Sequence, residues 1–209
     1  MSLPAVPFEV RLLVLLVLLV LVASVDLALR GREATRWREY LVLLAFGLVG
    51  CAVGVGVDQL TSRVSPEYFV YGKGLDGGPG LSGAVVRLSL EAGLTAGLVL
   101  GSLLLVANGS PGLAPPTTLL AQSVWPVLLG VTLAPLGAAT CGAVDPFGLD
   151  RFLVGLVDDP DARRRFVLVQ GAHTGLYLGA LVGTILAMIR VRRLARRSAP
   201  SPAAPSPSP

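Results

Sequence analysis

The side chains able to do chemistry are few, and most fall in one polar stretch. It runs Asp58-Gln59-Leu60-Thr61-Ser62-Arg63-Val64-Ser65-Pro66-Glu67-Tyr68-Phe69, in a chain otherwise written in Leu, Val, Gly and Ala. Outside it stand Glu91, a carboxylate within a hydrophobic run, and Gln170, His173 and Tyr177, spaced i, i+3, i+7; His173 is the only histidine. Carboxylates with an imidazole suit a divalent metal or a proton relay. The candidate polar cluster is therefore Asp58, Gln59, Glu67, Glu91, His173 and Tyr177. Within it, Asp58, Glu67 and His173 are the set that would hold a divalent metal as cofactor. No metal-ligand spacing, HExxH helix, phosphate loop or nucleophile motif accompanies them, which weighs against an enzyme.

Each of these residues also has a plainer reading. Ser65-Pro66-Glu67 has the form of a helix start: a capping hydroxyl, a proline at the first helical position and an acid suited to the helix dipole. Glu91 stands one turn after Arg87 and has an ion-pair partner there. A lone membrane histidine is most often a hydrogen-bonded structural residue, with Tyr177 one turn on as its partner. Asp58 and Gln59 close a hydrophobic run and are expected where a membrane helix emerges into the headgroup region.

The pattern Asp58-Gln59, Thr61, Arg63, Ser65-Pro66-Glu67-Tyr68-Phe69, followed much later by His173 and Tyr177, resembles a group of small bacterial integral membrane proteins of unknown function. The resemblance covers about residues 41–190. In that group a His usually precedes the Asp-Gln pair; here Val57 holds the place, so any role of that histidine is absent or moved. The resemblance implies a membrane protein and brings no activity with it.

The elements that must position these groups are membrane helices. The chain has 209 residues, 53% hydrophobic and 14% charged, and a mean hydropathy of +0.73, far from a soluble domain. Spanning a bilayer takes about 20 apolar residues, and five segments qualify, at about 10–29, 39–58, 85–106, 118–143 and 166–190. A short interfacial helix at about 146–157 follows from apolar residues at Leu149, Phe152, Leu153, Leu156 and Val157, one face of a helix. The fold class is thus all-α, a polytopic helix bundle over 1–197, and the Ser/Pro/Ala tail 198–209 is expected to be disordered. The first span has Glu9 and Arg11 before it and arginines after it, the reverse of a cleaved signal, so it reads as a retained helix at the bundle's edge. Asp26 and Arg30, four apart, form an interfacial pair.

Pro126 and Pro135 are expected to kink the fourth span. Gly50 and Gly54, the row Gly93, Gly97 and Gly101, and the row Gly171, Gly175, Gly179 and Gly183 allow helices to approach closely. The last row is expected against the second or third span. Arg163, Arg164 and Arg165 read as a solvated or phosphate-facing collar. Cys51 and Cys141 lack metal spacing and read as packing residues.

The net charge of +4 collects at the ends of hydrophobic segments, so it signals orientation rather than nucleic acid. The basic flanks of the first and last spans place the N-terminus outside and the C-terminus in the cytoplasm of a bacterial inner membrane. Glu91 then lies about 9 Å and His173 about 10 Å from the outer side at 1.5 Å per residue, so the acids and the imidazole share a depth. Two functions follow, of which the first is the reading preferred from sequence and the second the alternative. One is a structural or accessory subunit, binding a second copy or another membrane protein through its Gly-rich faces. The other is a small membrane protein with a metal-binding or proton- or ion-conducting site, in transport or membrane-embedded hydrolysis.

Overall fold

The computed structural model describes residues 7–109 and 114–198, and among these it is all-α, with no strand. The helices are α1 (Phe8–Arg30), α2 (Arg36–Val64), α3 (Leu81–Asn108), α4 (Pro116–Gln122), α5 (Val124–Val144), α6 (Leu149–Leu153) and α7 (Pro160–Ser198). A 3-10 turn, Gly31–Glu33, joins α1 to α2, and a π-helical turn, Tyr68–Gly72, follows α2. Five helical stretches are long and apolar enough to cross a membrane, with α4 and α5 together forming the fourth. The protein is a multi-pass membrane helix bundle. Ser198, assigned above to the tail, is the last residue of α7, and the remainder of the expected disordered tail lies outside the described residues.

Two close helix pairs make the bundle. In α2 and α3, a side chain added at Gly50 would strike the backbone of Gly93, and one at Gly97 would strike that of Phe46. Gly171 faces Gly137 and Cys141, Gly175 faces Leu133 and Ala134, Gly179 faces Leu129 and Gly130, and Gly183 faces Trp125 and Pro126. The long glycine row of α7 therefore packs on α5 and not, as predicted, on the second or third span. The reason is that α2 and α3 spend their glycines on each other, while Gly130, Ala134 and Gly137 give α5 a small-residue face. These glycine faces are covered inside one chain rather than left for a second copy.

Proline sets the break in the fourth span. The helix stops at Gln122 and resumes at Val124, just before Pro126, whose ring crowds the carbonyl four residues back and whose nitrogen has no proton. Pro135 is accommodated within α5.

Helix α1 is peripheral, as expected: only 6% of its most apolar window is buried. It is tied at both ends. Asp26 pairs with Arg30 at 3.3 Å, and its Oδ2 accepts from the backbone N–H of Thr35 and of Arg36, both at 2.9 Å, which caps α2. At the other end Glu9 meets Arg87 at 2.8 Å.

The expected interfacial helix is shorter than predicted. Asp145, in the left-handed conformation at the end of α5, accepts from the N–H groups of Leu149 and Asp150, and glycines in left-handed conformations at 148 and 155 confine α6 to 149–153. Its apolar residues also divide. Leu153 and Val157 are buried against Tyr68, Phe69 and Phe166, with Leu149 partly covered beside them, while Phe152 and Leu156 point outward. Arg163 is no free collar residue: it pairs with Asp150 at 3.1 Å and donates to the carbonyl of Val157 at 3.0 Å, fastening this connection to α7. A second apolar cluster, Val42, Phe46, Leu104, Leu119, Ala187 and Val191, closes the opposite end of the bundle.

Candidate functional site

Helix α2 does not end at Asp58. It continues to Val64, because no glycine or proline intervenes to stop it, and Thr61 and Ser62 return their hydroxyls to backbone carbonyls of the preceding turn. Asp58 is thereby held inside the bundle, 8% exposed, as the next member of the row Gly50, Gly54, Asp58. On α3 the row Gly93, Gly97, Gly101 runs back to Ser89, which is fully buried and faces Asp58. Ser89 was not among the expected site residues. The signal that marks it is its spacing, one turn before the first glycine of the stripe.

After α2, Ser65 caps the next turn by accepting from the N–H of Tyr68 at 3.3 Å, as the Ser-Pro-Glu pattern predicts. The π-helical turn then drives Tyr68 and Phe69 into the interior, 1% and 0% exposed. Tyr68 stacks on His173 of α7 with ring centroids 4.9 Å apart and planes at 27°, and Phe69 meets the same ring edge-on at 6.1 Å. Lys73 holds its ammonium 5.4 Å from the Tyr68 ring centre. Burial pushes the Tyr68 phenol above its ordinary range, so it stays neutral.

His173, 2% exposed, presents Nε2 to two groups: Asp58 Oδ1 at 3.6 Å and Thr61 Oγ1 at 3.2 Å. The Thr61 hydroxyl already donates to the Val57 carbonyl at 2.9 Å, so it accepts from His173, and the ring proton belongs on Nε2. Nδ1 is buried without a hydrogen-bond partner. Aspartate and hydroxyl therefore share one ring nitrogen. A Ser-His-Asp relay needs them on opposite nitrogens, and this site lacks that order.

The Ser89 hydroxyl sits between two acceptors, 2.7 Å from Asp58 Oδ2 and 2.6 Å from the Val85 carbonyl. A hydroxyl has one proton and cannot donate to both. With Asp58 ionised, Ser89 donates to the carboxylate. With Asp58 protonated, the acid donates to Ser89 and Ser89 donates to Val85. Both protonation states are thus hydrogen-bonded without any change of backbone.

Of the expected cluster, the structure unites Asp58 and His173. Glu67 does not join them: Ser65 Oγ donates to it at 3.0 Å, and Arg165 approaches to 4.0 Å. Glu91 takes its plainer partner, Arg87, at 3.3 Å, because positions 85, 89 and 93 face the bundle and 87 and 91 turn aside. The Gln59 side-chain nitrogen is buried without a partner. Tyr177 meets His173 ring to ring, 6.1 Å between centroids, with no hydrogen bond joining them among the described residues.

The expected metal set of Asp58, Glu67 and His173 is accordingly not assembled. Among the described residues no three His, Cys, Asp or Glu side chains group to hold an ion, because Glu67 is turned toward Ser65 and Arg165. Cys51 and Cys141 are both free.

A cavity of about 100 Å³ lies between the two helix pairs, with Asp58, Ser89 and Tyr177 at one end and Phe46 and Leu100 at the other. Compared with protein-family models, with curated proteins and with solved structures, the chain finds no match in any of the three.

Proposed function

We propose that the protein works through a proton-exchanging site within the membrane, formed by Asp58, Ser89 and His173, and that it is not a purely structural or accessory subunit. The observation that supports this reading is the Ser89 hydroxyl, poised between Asp58 and the Val85 carbonyl so that the acid is satisfied with or without its proton. His173, whose Nε2–H lies 3.6 Å from Asp58 Oδ1, is the adjacent titratable group. In the same reading the bundle lies in a bacterial inner membrane with its C-terminal arginines in the cytoplasm, which places the site toward the outer face. The resemblance to small bacterial membrane proteins of unknown function agrees with that location.

The test is difference infrared spectroscopy of the protein in liposomes across a pH titration. The reading predicts a protonated-carboxyl band that appears and disappears with pH, is missing in Asp58→Asn and is shifted in Ser89→Ala. A band absent from the wild type at every pH would end the proton-exchange reading. One unchanged in Asp58→Asn would assign it to another acid.

A further inference from the structure

The cavity beside Asp58 has features that the proton site alone does not explain. It lies where the α2/α3 pair and the α5/α7 pair fail to close on each other, and its walls are aliphatic and aromatic: Phe46, Val53, Ala92, Ala96, Leu100, Leu176. Several wall residues are themselves exposed, including Ala92 and Ala96, with Val49 at 36% and Tyr177 at 53%. The cavity therefore opens sideways, and it does so within the membrane-spanning segments, so what reaches it comes from the lipid phase.

Its polarity is confined to the Asp58 end. Ser123 also lines the cavity, but its hydroxyl is committed to the Leu120 carbonyl at 2.7 Å. Ser89 is engaged by Asp58 and Val85. Asp58 Oδ1 is different: His173 Nε2 stands 3.6 Å from it, beyond hydrogen-bond length, which leaves a carboxyl oxygen at the cavity's polar end with open acceptor capacity. An oxygen so placed is matched by a ligand that donates a hydrogen bond. The Tyr177 ring flanks the same end.

Dimensions narrow the ligand further. Along α2 the cavity lining runs from Phe46 to Asp58, about 18 Å at 1.5 Å per residue, room for one extended aliphatic chain. Asp58 lies about 9 Å before the end of α2, inside the apolar span. A phospholipid head at the interface cannot reach it while its chain fills the cavity. A small neutral donor on one aliphatic chain can.

We infer that this cavity binds a long-chain lipid alcohol, its hydroxyl donating to Asp58 Oδ1 and its chain lying along Val53, Ala96 and Phe46 between the two helix pairs. The inference rests on the reading of Asp58 as the working acid, and it assigns that acid a ligand. Binding would cover the side opening and fix the carboxyl against His173.

Photolabelling of the full chain in phosphatidylcholine liposomes tests this, using a long-chain alcohol with a diazirine near its terminal methyl and, in parallel, its methyl ether. Expected is label concentrated on cavity-wall residues such as Ala96 and Phe46 over the lipid-facing Leu18 of α1, reduced several-fold in Asp58→Asn and with the ether. Ala96→Phe, which fills the cavity, should abolish the wall label; thermal unfolding shows that this variant is folded, and Asp58→Asn, nearly isosteric, carries the test if it is not. Equal labelling of the wall and of Leu18, or equal labelling by alcohol and ether, would overturn the proposal. So would disulfide cross-linking of two copies through Ala96→Cys, which would make a second copy the occupant. The infrared titration separates the two readings: a titrating Asp58 band without alcohol labelling sinks only the ligand, and labelling without such a band sinks only proton exchange.

Discussion

Two glycines in membrane helices give opposite responses to the same substitution. At Gly56 of α2 an added methyl meets nothing within 4 Å, whereas at Gly179 of α7 it meets the Leu129 carbonyl carbon at 2.6 Å and Gly130 Cα at 2.7 Å, all backbone atoms. Replacing a helix-interior glycine with alanine gains about 0.5–1 kcal/mol by restricting the unfolded chain. Gly56→Ala should show that gain in full. In Gly179→Ala the same gain is opposed by overlap with a backbone that cannot rotate away, which costs about 1–3 kcal/mol in a packed interior. Because the backbone term is common to both, the difference between the variants isolates the overlap at about 1–3 kcal/mol. Equilibrium unfolding in mixed micelles of a mild detergent and dodecyl sulfate, followed by circular dichroism, measures it. Equal stabilities for the two variants would mean that the glycine row of α7 does not touch α5, and the pairing of the bundle would be wrong.

Three further outcomes follow from single contacts. Ser89→Ala should cost about 1–3 kcal/mol, as expected for a lost hydrogen bond to a buried carboxyl, and should cost little in an Asp58→Leu background; a double-mutant cycle with no coupling would place the two side chains apart. Asp26→Ala removes the acceptor for two N–H groups at the start of α2 and should lower stability by about 1–2 kcal/mol, read from the same unfolding curves; an unchanged midpoint would dissociate α1 from that cap. The Arg190 guanidinium lies 3.9 Å from the Trp125 ring centre, and a double-mutant cycle of Trp125→Leu and Arg190→Gln should show a coupling of about 0.5–1 kcal/mol; no coupling would remove the contact.

The spans were legible because each is a long apolar run, and length with hydropathy decides whether a helix crosses a bilayer. Partner choice was not. The row in α7 announces a close approach, but glycine spacing names no partner, and the fourth span hides its own small face in the less regular series Gly130, Ala134 and Gly137. The candidate site was half visible. Asp58 and His173 stood out as costly groups at a common depth, and they meet. Glu67 was drawn in by its place in the polar stretch and Glu91 by depth, and neither tells the direction in which a side chain points; Glu91 lies two residues past Ser89 and so on another face of α3. Ser89 is one hydroxyl among several in the apolar helices, and a hydroxyl returned to its own helix is common in membranes. Only its place at the head of the glycine row distinguishes it.

The connection between α5 and α7 shows a similar limit. Its apolar periodicity marked a helix lying on the surface, yet Leu153 and Val157 turn inward to roof Tyr68 and Phe69. Left-handed glycines at 148 and 155 decide where that helix stops, and the apolar pattern does not contain them.

Because His173 is the only histidine, ring-labelled ¹⁵N histidine gives one imidazole to observe without assignment. Its two nitrogen shifts, recorded by solid-state NMR in liposomes, report on the pair directly. The account predicts a proton on Nε2, a bare Nδ1, and a shift of the Nε2 resonance in Asp58→Asn that Glu67→Gln does not reproduce. A spectrum indifferent to Asp58→Asn, or a proton found on Nδ1, would contradict the Asp58–His173 site.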